Sequence, residues 1–285
     1  MTEQSGSTRT TGAARPGRPA QHPLHHVEFG SGTPVVLLHG HTVDHRILLP
    51  LEPVFAARRG WRRLYVDLPG SGRSPRLTGP VTAEAMGDAV LRFVDKVVGD
   101  EPFAAVGISY GGQLVRHLIA ERGPRVLGAA LIAPLVKPAG ERVLPRRQVF
   151  GRDVALLAAL EPADREVFAG LALYQDDAGW SAFRDHVLPG IRAHHRADAA
   201  ALLGSYLLKE APEARFGTHD GTHLLLTGRQ DHLVGWRDQL ELLEHYPHAT
   251  YAVVDGAGHH VHLDQPDTVH GLLGNWLDTL AVRRN

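Results

Sequence analysis

Apolar positions along the chain fall into two kinds of run, and the two alternate. Pro34–His39 (Pro-Val-Val-Leu-Leu-His) is a continuous apolar stretch stopped by Gly40, the pattern of a strand buried on both faces. Similar runs predict strands over Arg63–Asp67, Phe103–Ile108, Val126–Ala133, Thr222–Thr227 and Thr250–Val254, with a shorter one at His26–Phe29. Stretches of helical spacing lie between them: Leu48–Arg59, Val81–Val98, Gly111–Glu121, Leu233–His245 and the closing segment Pro266–Val282. In Val81–Val98, Ala85, Ala89, Phe93 and Val97 recur on one side of the helix. Strands alternating with helices through short connections imply right-handed crossovers. The expected fold class is α/β, with a mostly parallel, doubly wound sheet.

The rhythm breaks between Leu135 and Phe216. That stretch has helical periodicity without β-branched strand runs, and its candidate helices are Asp153–Leu160, Ala163–Tyr174, Trp180–His195 and Ala197–Lys209. The organisation expected is a core domain over residues 23–134 and 217–285, with an all-helical insertion at 135–216. Met1–Gln21, rich in Gly, Ser, Thr, Arg and Pro, lacks the apolar stretch of a signal peptide. Residues 1–22 read as a disordered tail, because such a composition buries too little to offset the entropy of ordering.

Charge narrows the partners. Thirty Lys and Arg against 31 Asp and Glu leave a formal charge of −1, so no basic field exists to hold nucleic acid or an anionic membrane. The chain has no cysteine, which excludes disulfides, thiolate zinc sites and a cysteine nucleophile. No apolar run is long enough to span a bilayer. A cytoplasmic protein acting on a small molecule is therefore expected; its state as monomer or homo-oligomer is open.

The strongest chemical signal is Gly107-Ile108-Ser109-Tyr110-Gly111-Gly112, the single Gly-x-Ser-x-Gly of the chain, set between a predicted strand and a predicted helix. On such a tight turn a serine is pushed clear of the sheet, and glycines two residues to either side leave room for the bend. The helix N-terminus then aims free N–H groups at developing negative charge. A surface serine in a glycine-rich loop would show the same letters but not the same context.

A serine hydroxyl needs a base, and the base needs an orienting carboxylate. His259 is the candidate base, in Asp255-Gly256-Ala257-Gly258-His259-His260-Val261-His262, on the loop leaving the last predicted strand. Parallel strands open their C-terminal ends on one edge, so this loop and Ser109 can meet. The neighbouring His260 and His262 lack the carboxylate or cysteine frame of a metal site. Asp231, in Gly228-Arg229-Gln230-Asp231, follows the preceding strand and is the preferred acid, with Asp255 as rival and Asp264 as a weaker one.

In order and context these motifs resemble the α/β-hydrolase family, the kind with a helical cap, from residue 23 to the end. Leu37-Leu38-His39-Gly40 and Asp67-Leu68-Pro69-Gly70-Ser71-Gly72-Arg73-Ser74 match it as well, and Ser, Asp, His is the family's chain order. The resemblance implies an oxyanion hole built from the backbone N–H groups of His41 and Tyr110. It makes 135–216 the cap, with Phe150, Phe168, Tyr174, Trp180, Phe183 and Tyr206 shared between the cap's own core and the substrate wall. The Asp67–Ser74 loop reads as a structural turn; Pro75 stands where a dinucleotide fingerprint needs its third glycine.

The expected activity is hydrolysis of a carboxylic ester or lactone of a small, largely apolar substrate through an acyl-enzyme on Ser109, with neither metal nor organic cofactor. The same triad would serve cleavage of an activated carbon–carbon bond in diketo acids, with Arg146, Arg147, Arg152 or Arg192 holding the substrate carboxylate, or acyl transfer. A serine nucleophile argues against dehalogenation and epoxide opening. A ligand-binding protein on the same scaffold is the non-enzymatic alternative.

Overall fold

The computed structural model describes residues 23–283, so the expected tail, residues 1–22, lies outside the described residues. Seven strands form one sheet: β1 (His26–Phe29), β2 (Thr33–Leu38), β3 (Trp61–Val66), β4 (Phe103–Ile108), β5 (Val126–Ile132), β6 (Thr222–Gly228) and β7 (Ala249–Val254). Their order is β1-β3-β2-β4-β5-β6-β7, with β1 antiparallel to β3 and every other pairing parallel. Helices α1 (Glu52–Ala56), α2 (Ala83–Val97) and α3 (Tyr110–Arg122) connect the first strands. Five helices fall between β5 and β6: α4 (Val154–Ala159), α5 (Pro162–Leu171), α6 (Asp177–His186), α7 (Leu188–Ala193) and α8 (Arg196–Leu203). The chain closes with α9 (Val261–Asp264) and α10 (Pro266–Arg283). This is an α/β-hydrolase fold.

The unbroken apolar runs have their expected cause. β4 and β6 are buried at every position, and β2 and β5 at all but one. Covered on both faces, they show no in-out alternation. The chain lays β3 on one side of β2 and then returns to lay β4 on the other. The strand order reverses there, and the loops leaving β2 and β4 flank the crevice that such a reversal opens.

Three expected helices take a different form. In place of one helix over 48–59 there is a 3-10 segment, His45–Leu51, followed by the five-residue α1; Pro50 and Pro53 each remove an N–H from the ladder. In place of one over 233–245 there is an irregular turn, with Gly235 at φ 73°, and a 3-10 segment Asp238–Glu244. The expected helix 180–195 divides into α6 and α7 at Val187, two residues before Pro189. On α2 the buried stripe runs through Met86, Val90, Phe93 and Val94, with Ala85 and Val97 half-buried at its margins.

One buried ion pair ties the helix behind the Ser109 turn to the end of the insertion. Arg116 on α3 donates from Nε and Nη2 to the two carboxylate oxygens of Glu213, each at 2.6 Å, and from Nη1 to the Leu135 carbonyl at 2.9 Å. Tyr246 Oη donates to the same carboxylate at 2.7 Å. Both charged groups are 3% exposed, so removing one strands the other away from water. Arg116→Met is expected to lower unfolding stability by about 3–5 kcal/mol, and adding Glu213→Gln to recover much of it. Urea denaturation of the single and double variants checks this; a loss under about 1 kcal/mol, the size expected of an exposed pair, would refute it.

Candidate active site

Ser109 stands between β4 and α3 with φ 54° and ψ −116°, one of three non-glycine residues at positive φ among those described. The strained turn is held from both sides. The Ser109 N–H donates to Ile132 O at 2.9 Å, while its carbonyl accepts from Gly112 and Leu135, each at 3.0 Å. The flanking glycines are sterically required. A Cβ on Gly107 would lie 2.5 Å from Gly111 O, and one on Gly111 would lie 2.2 Å from Leu38 O.

The chain leaving β2 passes beside this hydroxyl. A Cβ on Gly40 would come within 3.3 Å of Ser109 Cβ and 3.8 Å of its Oγ. The buried His39 ring fixes that passage: Nε2 accepts the Leu68 N–H at 2.9 Å and Nδ1 donates to Gly40 O at 2.7 Å. Burial lowers its basicity, which suits this neutral, two-sided role. His41 follows, its Nε2 3.1 Å from Ala199 O on α8 and its ring edge-on to Tyr206 at 5.2 Å. The His41 side chain thus braces the turn against the insertion. Tyr110 carries the first N–H of α3, where no carbonyl one turn earlier is available to accept it.

His259 and Asp231 come together from the loops after β7 and β6. His259 Nδ1 donates to Asp231 Oδ2 at 2.9 Å, and both side chains are buried. The other oxygen, Oδ1, accepts the N–H groups of Leu233 (2.8 Å) and Val234 (3.0 Å), so the carboxylate cannot swing away. Gly228 lets the two loops approach, since a Cβ there would lie 2.1 Å from Gly258 O. The rival Asp255 is 77% exposed and bonds Gln230 instead.

Asp264 sits close by, accepting the Gly258 N–H at 2.8 Å. Burial, helped by the Asp231 charge, pushes its carboxyl up to about 6 against the pull of the Gly258 N–H and His259. Because the folded value lies above the unfolded one, the folded state binds more protons between about pH 4 and 6. Stability is therefore present below that window and falls as pH rises through it. Asp264→Asn is expected to raise stability at pH 8 by up to about 3 kcal/mol and to change little at pH 4. Urea midpoints at the two pH values test it; an equal change at both would contradict the assignment.

Ser109, His259, Gly40 and His41 line one cavity of about 860 Å³, walled mainly by apolar residues that include Ile108, Leu171 and Val234. A second cavity of about 430 Å³ shares Leu171 and His260 with the first. His260 is a buried partition between them, and His262 is tied by Nε2 to Ile47 O at 2.7 Å. Of the insertion's aromatic residues, Phe168, Trp180 and Phe183 pack on one another at 5.2 to 6.3 Å, and Phe150 packs edge-on against Tyr174 at 5.6 Å. Tyr206 lines the cavity with Ser109, whereas Tyr174 and Phe183 border the second one.

The arginines expected to hold a substrate carboxylate lie elsewhere. Arg146, Arg147, Arg152 and Arg192 are exposed and absent from the cavity wall; Arg192 pairs with Asp164 at 2.7 Å. Arg142 lines it instead, a residue sequence reasoning passed over because nothing in an irregular, arginine-rich stretch distinguishes it.

The Asp67 turn is structural, as its sequence suggested, and it gathers more than expected. Asp67 accepts from His25 Nδ1 (2.8 Å), His45 Nδ1 (2.7 Å) and the amides of His45 and Arg73 (each 3.0 Å). Burial raises its carboxyl, but the hydrogen bonds outweigh that and hold it well below the usual carboxylate range. Among the described residues, His25, His45 and Asp67 are the group with metal-ligand spacing, their ligand atoms lying within 4.8 Å of one another. All three are outside the wall of the Ser109 cavity.

A strained serine after the central strand of a mostly parallel sheet, on one cavity wall with a carboxylate-held histidine, marks an α/β hydrolase. The sequence pattern of the "Alpha/beta hydrolase family" matches residues 35–272, and the chain belongs to that family. It is 34% identical over 149 residues to lipase LipV of Mycobacterium tuberculosis, a match covering 50% of this chain and 52% of the lipase. It is 28% identical over 246 residues to the dihydrolipoyllysine-residue acetyltransferase component of the acetoin cleaving system of Cupriavidus necator, covering 86% of this chain and 63% of that protein. The chain thus spans about half to under two thirds of these relatives. In fold it is similar to an alpha/beta superfamily hydrolase of Oenococcus oeni, with TM-score 0.82, 22% identity, and 90% and 96% of the two chains covered. Among the described residues no helix is long and apolar enough to cross a membrane.

Proposed function

We propose that this chain is a serine hydrolase that cleaves a carboxylic ester or lactone of a small, largely apolar substrate through an acyl-enzyme on Ser109. The observation that carries the reading is His259, held by Asp231 at 2.9 Å on the wall that also bears Ser109. With Nδ1–H given to the carboxylate, Nε2 is the free basic nitrogen. It takes the Ser109 proton as the oxygen attacks the carbonyl, and returns it to the leaving alcohol. A water activated the same way then frees the acid. The amides of Tyr110 and His41 face the developing oxyanion, and Asp231 stabilises the imidazolium without taking its proton. Residues 135–216 serve as the cap: Leu171, Leu203 and Tyr206 lie on the cavity wall and decide which acyl group fits.

The lipase relative supports ester chemistry. Acyl transfer is the second reading, favoured by the acetyltransferase relative; an added alcohol acceptor would then divert the acyl group from water. A fluorophosphonate probe tests the nucleophile. Covalent labelling at Ser109, together with turnover of short chromogenic esters, is expected. Folded protein that neither labels nor hydrolyses any ester would refute the reading.

A further inference from the structure

The cavity that holds Ser109 is lined by side chains that are apolar or neutral, with one exception. Among the described residues on its wall, Arg142 alone is an Arg, Lys, Asp or Glu. Its guanidinium is held by backbone: Nε donates to Lys137 O at 2.9 Å and Nη1 to Leu233 O at 2.8 Å. A guanidinium has five N–H donors, so three remain for a ligand. No ion pair to Arg142 exists among the described residues, whereas its neighbour Lys137 pairs with Glu241 and Asp238. The half-buried guanidinium thus has two carbonyl partners and no carboxylate within ion-pair distance among the described residues. Its field is felt at Tyr206 on the same cavity wall, whose phenol burial pushes far up and whose rise Arg142 partly opposes.

We propose that Arg142 is the anchor for a substrate carboxylate remote from the bond that Ser109 attacks, so that the cavity takes esters or lactones whose far end is an acid. This rests on the serine-hydrolase reading and adds the substrate class to it. The anchoring carbonyl of Leu233 belongs to the same turn whose amides hold Asp231, so the cation is fixed in position relative to the proposed triad. A single planar guanidinium suits a singly charged, planar carboxylate. A phosphate dianion would call for further cations, which the described wall lacks. The apolar wall between Arg142 and Ser109 is where the methylene or ring portion of the substrate would lie.

Matched substrates decide it. Monomethyl glutarate, adipate and suberate, acetoxyalkanoates of similar length, and the corresponding dimethyl and simple methyl esters are compared by product release. The parent protein is expected to favour the acid-bearing members of at least one series by roughly 10- to 100-fold in kcat/KM, the range of a desolvated charge-assisted hydrogen bond. Arg142→Met should bring the acid-to-neutral ratio close to one, and Arg142→Lys should restore part of it. Because Arg142 also braces two carbonyls, the parent alone supplies a second readout: adipate should inhibit far better than adipamide. Neutral esters turned over with no preference for the acids, or a preference that survives in Arg142→Met, overturns the anchor and leaves the serine reading standing. Failure of every ester, with no fluorophosphonate label, overturns that reading instead.

Discussion

Ser109→Ala is expected to leave ester hydrolysis lower by on the order of 10⁴–10⁶-fold, the scale on which a lone serine nucleophile is lost from a triad. Alanine loses the attacking oxygen and nothing else the fold requires. It has a Cβ like serine, so it meets the same φ of 54°, and every hydrogen bond recorded for Ser109 uses the backbone. Stability and circular dichroism should therefore match the parent, and the fluorophosphonate label should vanish. Steady-state turnover of a chromogenic ester checks the magnitude. Retention of near-parent activity would place the nucleophile elsewhere.

Asp231→Asn is expected to lower kcat/KM by about 10⁴-fold at neutral pH, the size seen when a triad histidine is held in the wrong tautomer. The surroundings force that outcome. The inner oxygen accepts two amides, from Leu233 and Val234, so asparagine must keep its carbonyl oxygen there. Its NH₂ then faces His259 Nδ1, which becomes an acceptor and moves the ring proton to Nε2, the nitrogen required as base. Asp255→Asn is the internal comparison. Its carboxylate stands in water and should change turnover by no more than about twofold, as expected of an exposed surface group. Equal losses in the two variants would mean that Asp231 has no special part.

How much of this was legible beforehand varies with the kind of signal. The strands are legible to within one or two residues, because the central ones, β2, β4, β5 and β6, are covered on both faces and so are largely apolar. Two expected helices with prolines in their interior take other forms. Residues 48–59 and 180–195 have helical spacing, yet Pro50, Pro53 and Pro189 break the hydrogen-bond ladder that spacing alone does not count. The 233–245 stretch differs for another reason: Gly235 takes φ 73°, outside the helical region, and only a 3-10 segment, Asp238–Glu244, follows it.

Sequence by itself determined the alternation of elements, the family, and Ser109, Asp231 and His259 as the residues to examine. Each is announced by neighbours a few positions away, and the strand-turn context is local. Only the tertiary structure separated Asp231 from Asp255 by contact, placed Arg142 rather than the four exposed arginines on the cavity wall, and gathered His25 and His45 around Asp67. Those facts join residues tens of positions apart, or depend on which side of an irregular segment faces inward. Periodicity carries no record of either, because burial there is set by packing against distant chain and not by a local repeat.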